Sequence, residues 1–133
     1  SYAYEGLAPE VMGLGPVYAI STVLRKAGMS LDQMSFVEIN EAFAAQVLGC
    51  LKLIESDDFA KKELGRDKAI GKLEPARLNV NGGAIALGHP VGVTGNRLIL
   101  TALRELLRRN DRHALVSLCV GGGQGGAIIL ERE

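Results

Sequence analysis

The segment that most constrains this chain is residues 79–98, NVNGGAIALGHPVGVTGNRL, which holds five of the 17 glycines and one of the two histidines. Glycine lets a backbone adopt positive φ and pass close to a ligand or to another segment. His89 lies between Gly88 and Pro90, and proline restricts the residue before it to extended conformations. The pattern predicts a tightly folded loop that presents a positioned imidazole. The plainer alternative is a loop packed under a helix, in which His89 bonds a backbone carbonyl.

The spacing of apolar residues predicts strands and helices that alternate along the chain. Short strands are expected at residues 1–5, 36–39 and 78–81, each followed by residues at helical spacing. The apolar run at residues 114–120 is typical of a buried strand, and the glycines at 121–126 predict a hairpin to a last strand. The order βαβαβαββ indicates the α/β class. We expect a mostly parallel, mixed five-stranded sheet with helices on both faces.

Local signals predict where two helical elements begin and end. Pro16 stands at a favoured first position of a helix, and Gly28 is expected to end that helix. Ser30 and Gln33 have the spacing of a capping box for a single helical turn before the second strand. These signals separate the first helix from the strand at residues 36–39.

Charge and composition exclude several classes of protein. The chain has 15 basic and 15 acidic residues and a formal net charge of +0, so nucleic acid is not expected as a partner. Two cysteines make no disulfide framework and indicate a reducing compartment, either the cytoplasm or an organelle matrix. No stretch reaches the roughly 18 apolar residues that a membrane helix requires, so no membrane insertion is expected. The charge-dense residues 56–76 are interpreted as a solvated surface excursion.

Three candidate reactive groups follow predicted strands or end them: Asn40, His89 and Cys119. The carboxyl ends of parallel strands meet at one edge of a sheet, so a single crevice can hold all three. A thiol beside an imidazole suits nucleophilic or acid/base work, while an amide and backbone N–H groups stabilise an oxyanion. This composite favours acyl transfer or Claisen-type chemistry, with a cysteine hydrolase as an equal competitor. Asn40 as a helix N-cap and Cys119 as a buried thiol remain structural alternatives.

The glycines at residues 121–126 formally match the dinucleotide fingerprint G-x-G-x-x-G, but their context does not. That fingerprint requires a following helix and an acidic residue about 20 positions further on. Here AIILERE follows, with the pattern of a strand. The glycine run therefore predicts a hairpin turn near Cys119, whose N–H groups can face a developing oxyanion.

Three blocks of the sequence resemble the thiolase family. They are NEAFAAQ at residues 40–46, NGGAIALGHPVGVTGNR at residues 81–97 and CVGGGQG at residues 119–125, and MGLGP at residues 12–16 adds to the match. The resemblance covers nearly the whole chain but only the C-terminal half of a thiolase. It implies that residues 1–133 are a thiolase C-terminal domain without the N-terminal domain that carries the nucleophilic cysteine. Cys50 does not replace that cysteine, because it falls in a helix among apolar residues.

The resemblance also implies a role for each matching residue. His89 activates the nucleophilic cysteine and, with a water held by Asn40, forms one oxyanion hole for the thioester oxygen. Cys119 removes or returns the α-proton as acid or base. The N–H of Gly121 contributes to a second oxyanion hole, together with the N–H of the missing cysteine. Two further residues of this sequence line the acyl or pantetheine pocket, namely Met12 and Phe43.

The function implied is thiolytic cleavage of 3-ketoacyl-CoA, or the reverse Claisen condensation. Coenzyme A thioesters are the substrates, and no metal or separate cofactor is expected. The partners implied are a thiolase N-terminal domain and further copies of the protein in a homo-oligomer, a homodimer in particular. The length of the excursion at residues 56–76 resembles that of the 3-ketoacyl-CoA thiolases of fatty-acid β-oxidation and favours a degradative role.

Three hypotheses about function follow. In the first, the chain is half of a thiolase and is inactive without the other half. In the second, it is a non-catalytic, thiolase-like module that binds coenzyme A or assembles with a partner. The third, a cysteine hydrolase using Cys119 and His89, predicts hydrolysis by this chain alone.

Overall fold

A computed structural model describes all residues of the chain, 1–133. It contains four strands, five α-helices and three short 3-10 turns. The strands are β1 (Tyr2–Gly6), β2 (Phe36–Ile39), β3 (His113–Val120) and β4 (Gln124–Glu131). The helices are α1 (Gly15–Ala27), α2 (Ala44–Ile54), α3 (Asp57–Glu63), α4 (Ala84–Leu87) and α5 (Thr94–Arg109), and the 3-10 turns are Pro9–Leu14, Leu31–Gln33 and Pro75–Arg77.

The four strands form one mixed sheet in the order β1-β4-β3-β2. Strands β2 and β3 pair in parallel, whereas β3 with β4 and β1 with β4 pair antiparallel. The α/β class and the terminal hairpin are confirmed. The expectation of a mostly parallel sheet is wrong, because the hairpin places β4 between β3 and β1 and makes two of the three pairings antiparallel. The expected count of five strands is also wrong.

The missing strand is the one expected at residues 78–81. Leu78 makes a single parallel bridge with Val37, and the chain then turns at Asn79, where φ is 45°. Asparagine tolerates this left-handed conformation better than most residues. Its side chain then replaces the backbone ladder, since Oδ1 accepts from the N–H of Ile39 (2.8 Å) and Nδ2 donates to the C=O of Ile39 (3.0 Å). The Asn79 amide thus makes the hydrogen bonds to Ile39 that a fifth strand would otherwise make.

Alternate residues of β3 and β2 face two separate apolar clusters, so helices cover both faces of the sheet as expected. On one face, α1 and α2 pack over Val37, Ile39 and Leu115. On the other, α5 packs over Phe36, Ala114 and Val116 through an apolar stripe at Leu98, Ala102 and Leu106. Burial of each large side chain of this kind stabilises the fold by about 1.5–3 kcal/mol.

The predicted helix signals are confirmed. Gly28 ends α1 with φ 65°, and Pro16 lies in the first turn of that helix. In the turn Leu31–Gln33, the side-chain oxygen of Gln33 accepts from the N–H of Ser30 (2.8 Å), as a capping box requires. No helix of the chain combines the length and apolarity needed to span a bilayer.

Candidate active site

The position of Asn40 follows from the parallel pairing of β2 with β3. Asn40 comes directly after β2, and its N–H donates to the C=O of Ser117 (2.9 Å), which extends the ladder by one residue. The residue is 1% exposed. The alternative that Asn40 caps α2 is wrong, because Phe43 stands at the N-cap position of that helix. The amide of Asn40 is therefore free for another contact at the edge of the sheet.

That contact is with His89. The residue follows the single turn of α4 and Gly88, which has a positive φ of 92°. His89 Nδ1 lies 2.7 Å from Thr94 Oγ1 in the first turn of α5, and His89 Nε2 lies 3.5 Å from Asn40 Nδ2. In the tautomer with the proton on Nδ1, the imidazole donates to the threonine hydroxyl and keeps a lone pair on Nε2 toward Asn40. The plainer interpretation, in which a backbone carbonyl holds the ring, is wrong.

Cys119 lies one residue before the end of β3, where it pairs with Gly125 of β4. Its side chain is buried, and burial raises the pKa of the thiol above its ordinary value. A raised pKa keeps the group protonated at neutral pH, which suits a proton donor better than a resting thiolate. The hairpin turn follows at once and begins with the exposed Gly121.

The glycine run after β3 forms the turn of a hairpin, and no helix follows it, as the sequence indicates. Gly122 and Gly123 both have positive φ, at 84° and 85°. A Cβ atom on Gly123 would lie 2.2 Å from the carbonyl oxygen of Leu7, so this position admits no side chain. The turn holds Gly121 beside the end of the strand that carries Cys119.

The structure brings the three candidate residues to the same edge of the sheet. Asn40 contacts His89 through its side chain and Ser117 through its backbone, two residues before Cys119. No hydrogen bond joins Cys119 to His89 or to Asn40. A groove of about 450 Å³ is lined by residues of β1, β3, β4 and the start of α5, and it contains none of the three. The candidate residues therefore lie outside this groove, at an edge of the sheet where His89 is exposed.

Met12 and Phe43 lie on two segments that are packed together. Met12 belongs to the turn Pro9–Leu14, and Cys50 of α2 donates from its thiol to the C=O of Gly13 in that turn (3.2 Å). Phe43 precedes the first turn of α2 and is 62% exposed. Cys50 itself is fully buried, and burial raises the pKa of its thiol to about 11. Cys50 is thus a packing residue, as the sequence indicates, rather than a nucleophile.

Sequence reasoning missed a group of buried polar residues below this edge. Glu38 of β2 is fully buried, and neither of its carboxylate oxygens has a hydrogen-bond partner. Burial raises its pKa to about 7, against the opposing effect of the Arg97 guanidinium. The Val80 N–H favours the charged form slightly but makes no hydrogen bond of ordinary geometry. The sequence signal for this buried carboxylate was a single glutamate in the otherwise apolar strand FVEI.

Arg97 and Asn40 share this lack of partners. All three guanidinium nitrogens of Arg97 are buried without a hydrogen bond, and so is Oδ1 of Asn40. Two further residues that the sequence analysis did not single out are Glu41 and Asn79, which hydrogen-bond to each other beside the candidate site (2.8 Å).

Comparison with known proteins agrees with this geometry. The family described as "Thiolase, C-terminal domain" matches residues 1–132. An acetyl-CoA acetyltransferase of Pseudomonas aeruginosa is 48% identical over 133 residues, which cover 100% of this chain and 30% of the relative. A 3-ketoacyl-CoA thiolase of Alteromonas mediterranea is 46% identical over 134 residues, covering 100% of this chain and 31% of the relative.

A solved structure shows the same likeness in three dimensions. Human mitochondrial 3-ketoacyl-CoA thiolase in complex with CoA superposes with a TM-score of 0.82 at 43% identity, over 99% of this chain and 29% of that one. The chain thus spans less than a third of the length of the relatives that it matches. The family match covers nearly every residue and includes the edge that carries Asn40, His89 and Cys119. The chain belongs to the thiolase family, as a thiolase C-terminal domain.

Proposed function

We propose that this chain supplies the C-terminal half of a thiolase active site, which cleaves 3-ketoacyl-CoA with coenzyme A or runs the reverse Claisen condensation. The observation that carries the proposal is the contact of His89 with Asn40, at the edge of the sheet where β3 ends in Cys119 and the glycine turn. An imidazole, an amide, a thiol and a backbone turn at one edge are the groups that acyl transfer to and from carbon requires.

In cleavage, the nucleophilic cysteine of an N-terminal domain loses its proton to His89 and attacks the 3-keto carbon. The bond between C2 and C3 then breaks, which leaves an acyl group on that cysteine and the enolate of acetyl-CoA. Cys119 donates its proton to C2 of the enolate and becomes a thiolate. Coenzyme A then gives its thiol proton to Cys119 and takes the acyl group from the nucleophilic cysteine, which leaves as a thiolate and regains its proton from His89. His89 with a water held by Asn40 stabilises one oxyanion, and the N–H of Gly121 contributes to the other.

The protonation state of Cys119 supports its part in this sequence. Burial raises the pKa of the thiol, so it carries a proton at neutral pH when the enolate forms. A thiol has a pKa far closer to that of the carbon acid than a carboxylic acid has, so it can take the proton back in the condensation direction.

The partners follow from the same proposal. The human relative was solved with CoA, and we infer that acyl-CoA thioesters bind this chain with Met12 and Phe43 along the pantetheine or acyl chain. A thiolase N-terminal domain completes this edge of the sheet. Exposed apolar side chains beside that edge and along α5 suit such a partner: Val91, Val93, Leu100, Leu103 and Leu107.

Further properties belong to the proposal in the same way. We expect the isolated chain to be inactive, the complete protein to be a homodimer or larger homo-oligomer, and its role to be degradative, in fatty-acid β-oxidation. A cytoplasmic or organelle-matrix location is consistent with two free cysteines.

The test is cleavage of acetoacetyl-CoA and of a longer 3-ketoacyl-CoA, dependent on coenzyme A. The chain is assayed alone and after co-expression with a thiolase N-terminal half. We expect activity only in the combination, and loss of it in Cys119→Ala. Activity of the chain alone would favour a cysteine hydrolase. No activity in a well-folded combination would favour a non-catalytic module that binds coenzyme A or a partner.

A further inference from the structure

Two residues outside the candidate catalytic set, Asn79 and Glu41, form a hydrogen-bond network around Asn40. The Asn79 side chain makes two hydrogen bonds to the backbone of Ile39, at 2.8 and 3.0 Å. The same Nδ2 also donates to Oε1 of Glu41 (2.8 Å). Asn40 lies between Ile39 and Glu41 in the chain, so this side chain fixes both of its neighbours.

Glu41 connects that segment to the one that carries His89. Its second carboxylate oxygen, Oε2, accepts from the N–H of Ile85 in α4 (3.0 Å). The carboxylate lies directly against Gly83, where an added Cβ would be 2.3 Å from Glu41 Cδ. His89 comes four residues after Ile85, beyond the end of α4 and Gly88. One carboxylate therefore bonds the segment after β2 to the helical turn that leads to the imidazole.

We propose that Asn79 and Glu41 are positioning residues, which hold Asn40 and His89 at the separation that their chemistry needs; this rests on the proposed function of the two residues. Neither side chain hydrogen-bonds to the side chain of Asn40 or of His89. They act through the backbone, by fixing where Asn40 leaves the sheet and where α4 stands.

The need for such a network follows from how weakly the pair is held otherwise. Asn40 and His89 are 49 positions apart in the sequence, and the one hydrogen bond between them is the 3.5 Å approach of Nδ2 to Nε2. His89 is exposed, whereas Asn79 is 8% exposed. A displacement of about 1 Å in a catalytic group can lower the rate about 100-fold. We therefore expect the buried Asn79, which holds the segment beside the exposed imidazole of His89, to affect the rate.

The experiment uses Asn79→Ala, Gly83→Ala and Glu41→Gln, in this chain combined with a thiolase N-terminal half. Asn79→Ala removes all three side-chain bonds. Gly83→Ala displaces the Glu41 carboxylate without removing a hydrogen-bonding group, and Glu41→Gln keeps the size of the side chain and weakens the bonds to Asn79 and Ile85. Asn81→Ala is the matched control, since Asn81 also donates to a glutamate, Glu105 (2.9 Å), but on α5.

We expect kcat to fall about 10- to 100-fold in Asn79→Ala and Gly83→Ala, and less in Glu41→Gln, with KM for the CoA thioester changed less than about 3-fold. Asn81→Ala is expected to keep kcat within about 3-fold. A rise in KM at unchanged kcat would overturn the proposal, because misplacement of Asn40 and His89 affects the chemical step. So would an equal loss of kcat in the control, which would indicate a general loss of stability.

A second readout separates this proposal from the proposed function. The chain has two histidines, so selective ¹⁵N labelling gives two imidazoles, with His113 as an internal reference. We expect Asn79→Ala and Gly83→Ala to change the ¹⁵N shifts and tautomer signature of His89 and to leave those of His113 unchanged. Unchanged His89 signals in both variants would overturn the positioning role, whether or not the parent shows thiolase activity. An inactive parent with shifted His89 signals would refute the function alone.

Discussion

The two ends of α5 differ in how their polar groups are satisfied. At its C-terminal end, Glu105 accepts from Arg108 Nε (2.9 Å), from Asn81 and from Arg109. Beyond that end, Arg132 donates to the carbonyl of Asp111 (2.8 Å). At the N-terminal end, the guanidinium of Arg97 and the carboxylate of Glu38 are buried without partners, and Asn40 Oδ1 shares that condition.

The difference distinguishes polar side chains that stabilise the fold from polar side chains that are available to a site or a partner. A buried polar group without a hydrogen bond costs about 1–3 kcal/mol, so such groups are rare unless a site or a partner requires them. Apart from Gln46 Oε1 and Arg66 Nε, the unsatisfied side-chain atoms belong to Glu38, Arg97 and Asn40, and the last is one of the residues proposed for catalysis. The satisfied groups hold α5 and the hairpin together. The same residue type, glutamate, shows both conditions, with its pKa raised to about 7 in one case and lowered to about 2 in the other.

The largest expected effect contrasts the two histidines, one at each end of the molecule. In this chain combined with a thiolase N-terminal half, His89→Ala should lower kcat by about 10²- to 10⁴-fold, because the proposed general base is lost. His113→Ala should leave kcat within about 2-fold, since His113 lies at the start of β3 and only approaches Glu131 (3.5 Å). Steady-state cleavage of acetoacetyl-CoA measures both. Equal losses of kcat in the two variants would show that His89 has no catalytic role that His113 lacks.

The next effect is the pH dependence that Glu38 confers on folding. Burial raises its pKa from 4.5 to about 7, so the folded state keeps a proton that the unfolded state releases in this window. The free energy of unfolding should therefore fall by roughly 3 kcal/mol from pH 4.5 to above pH 7 on account of this group. Glu38→Gln should lack this contribution and be more stable than the parent at pH 8. Urea unfolding at pH 5 and pH 8 measures the free energy of unfolding of both proteins. An equal change between the two pH values in the parent and in Glu38→Gln would contradict the prediction.

Glu105 should show the opposite dependence at a smaller size. Its hydrogen bonds to Arg108, and then to Asn81 and Arg109, lower its pKa to about 2. This stabilisation is fully present above pH 4.5 and is lost as the pH falls toward 2. Glu105→Gln should cost about 1–2 kcal/mol at pH 7, discounted because the Arg108 side chain is 66% exposed. The deficit should shrink on acidification, and a deficit of constant size would show that packing, not charge, is lost.

The smallest expected effect is at Cys50. The thiol is fully buried, and burial raises its pKa to about 11, so it should resist alkylation in the native protein. Cys50→Ala should change kcat less than about 2-fold in the combined protein. Mass spectrometry after iodoacetamide treatment, before and after denaturation, reports its protection. Rapid native labelling or a large loss of kcat would place a second reactive thiol near the site.

Much of this arrangement could be predicted from local signals. Apolar spacing indicated α1, α2, α5 and the hairpin, because each has an apolar face or a fully apolar strand against the core. The approach of Asn40 to His89 was expected because each was predicted to follow a strand of a parallel pair, although the second strand is reduced to the single bridge of Leu78 with Val37.

The features that were missed depend on contacts between distant segments. Residues 78–81 have the composition of a strand, but the positive φ at Asn79 and its bonds to Ile39 end the pairing after one bridge. The pKa shift of Glu38 arises from burial by α5, which no local pattern reports. In the same way, the short helix α4 is bonded at the N–H of Ile85 to the carboxylate of Glu41, a residue distant in the sequence.

The Asn79 amide has one more consequence, for behaviour in concentrated solution. The outer side of β2 is an edge, and exposed edges are templates on which another chain can add a strand. Here Asn79 occupies the hydrogen-bonding groups of Ile39 and, through its own N–H, the carbonyl of Val37 (2.9 Å). This leaves β1 as the open edge of the sheet, with Tyr2 and Tyr4 exposed along it. Unwanted strand addition between copies should therefore begin at β1.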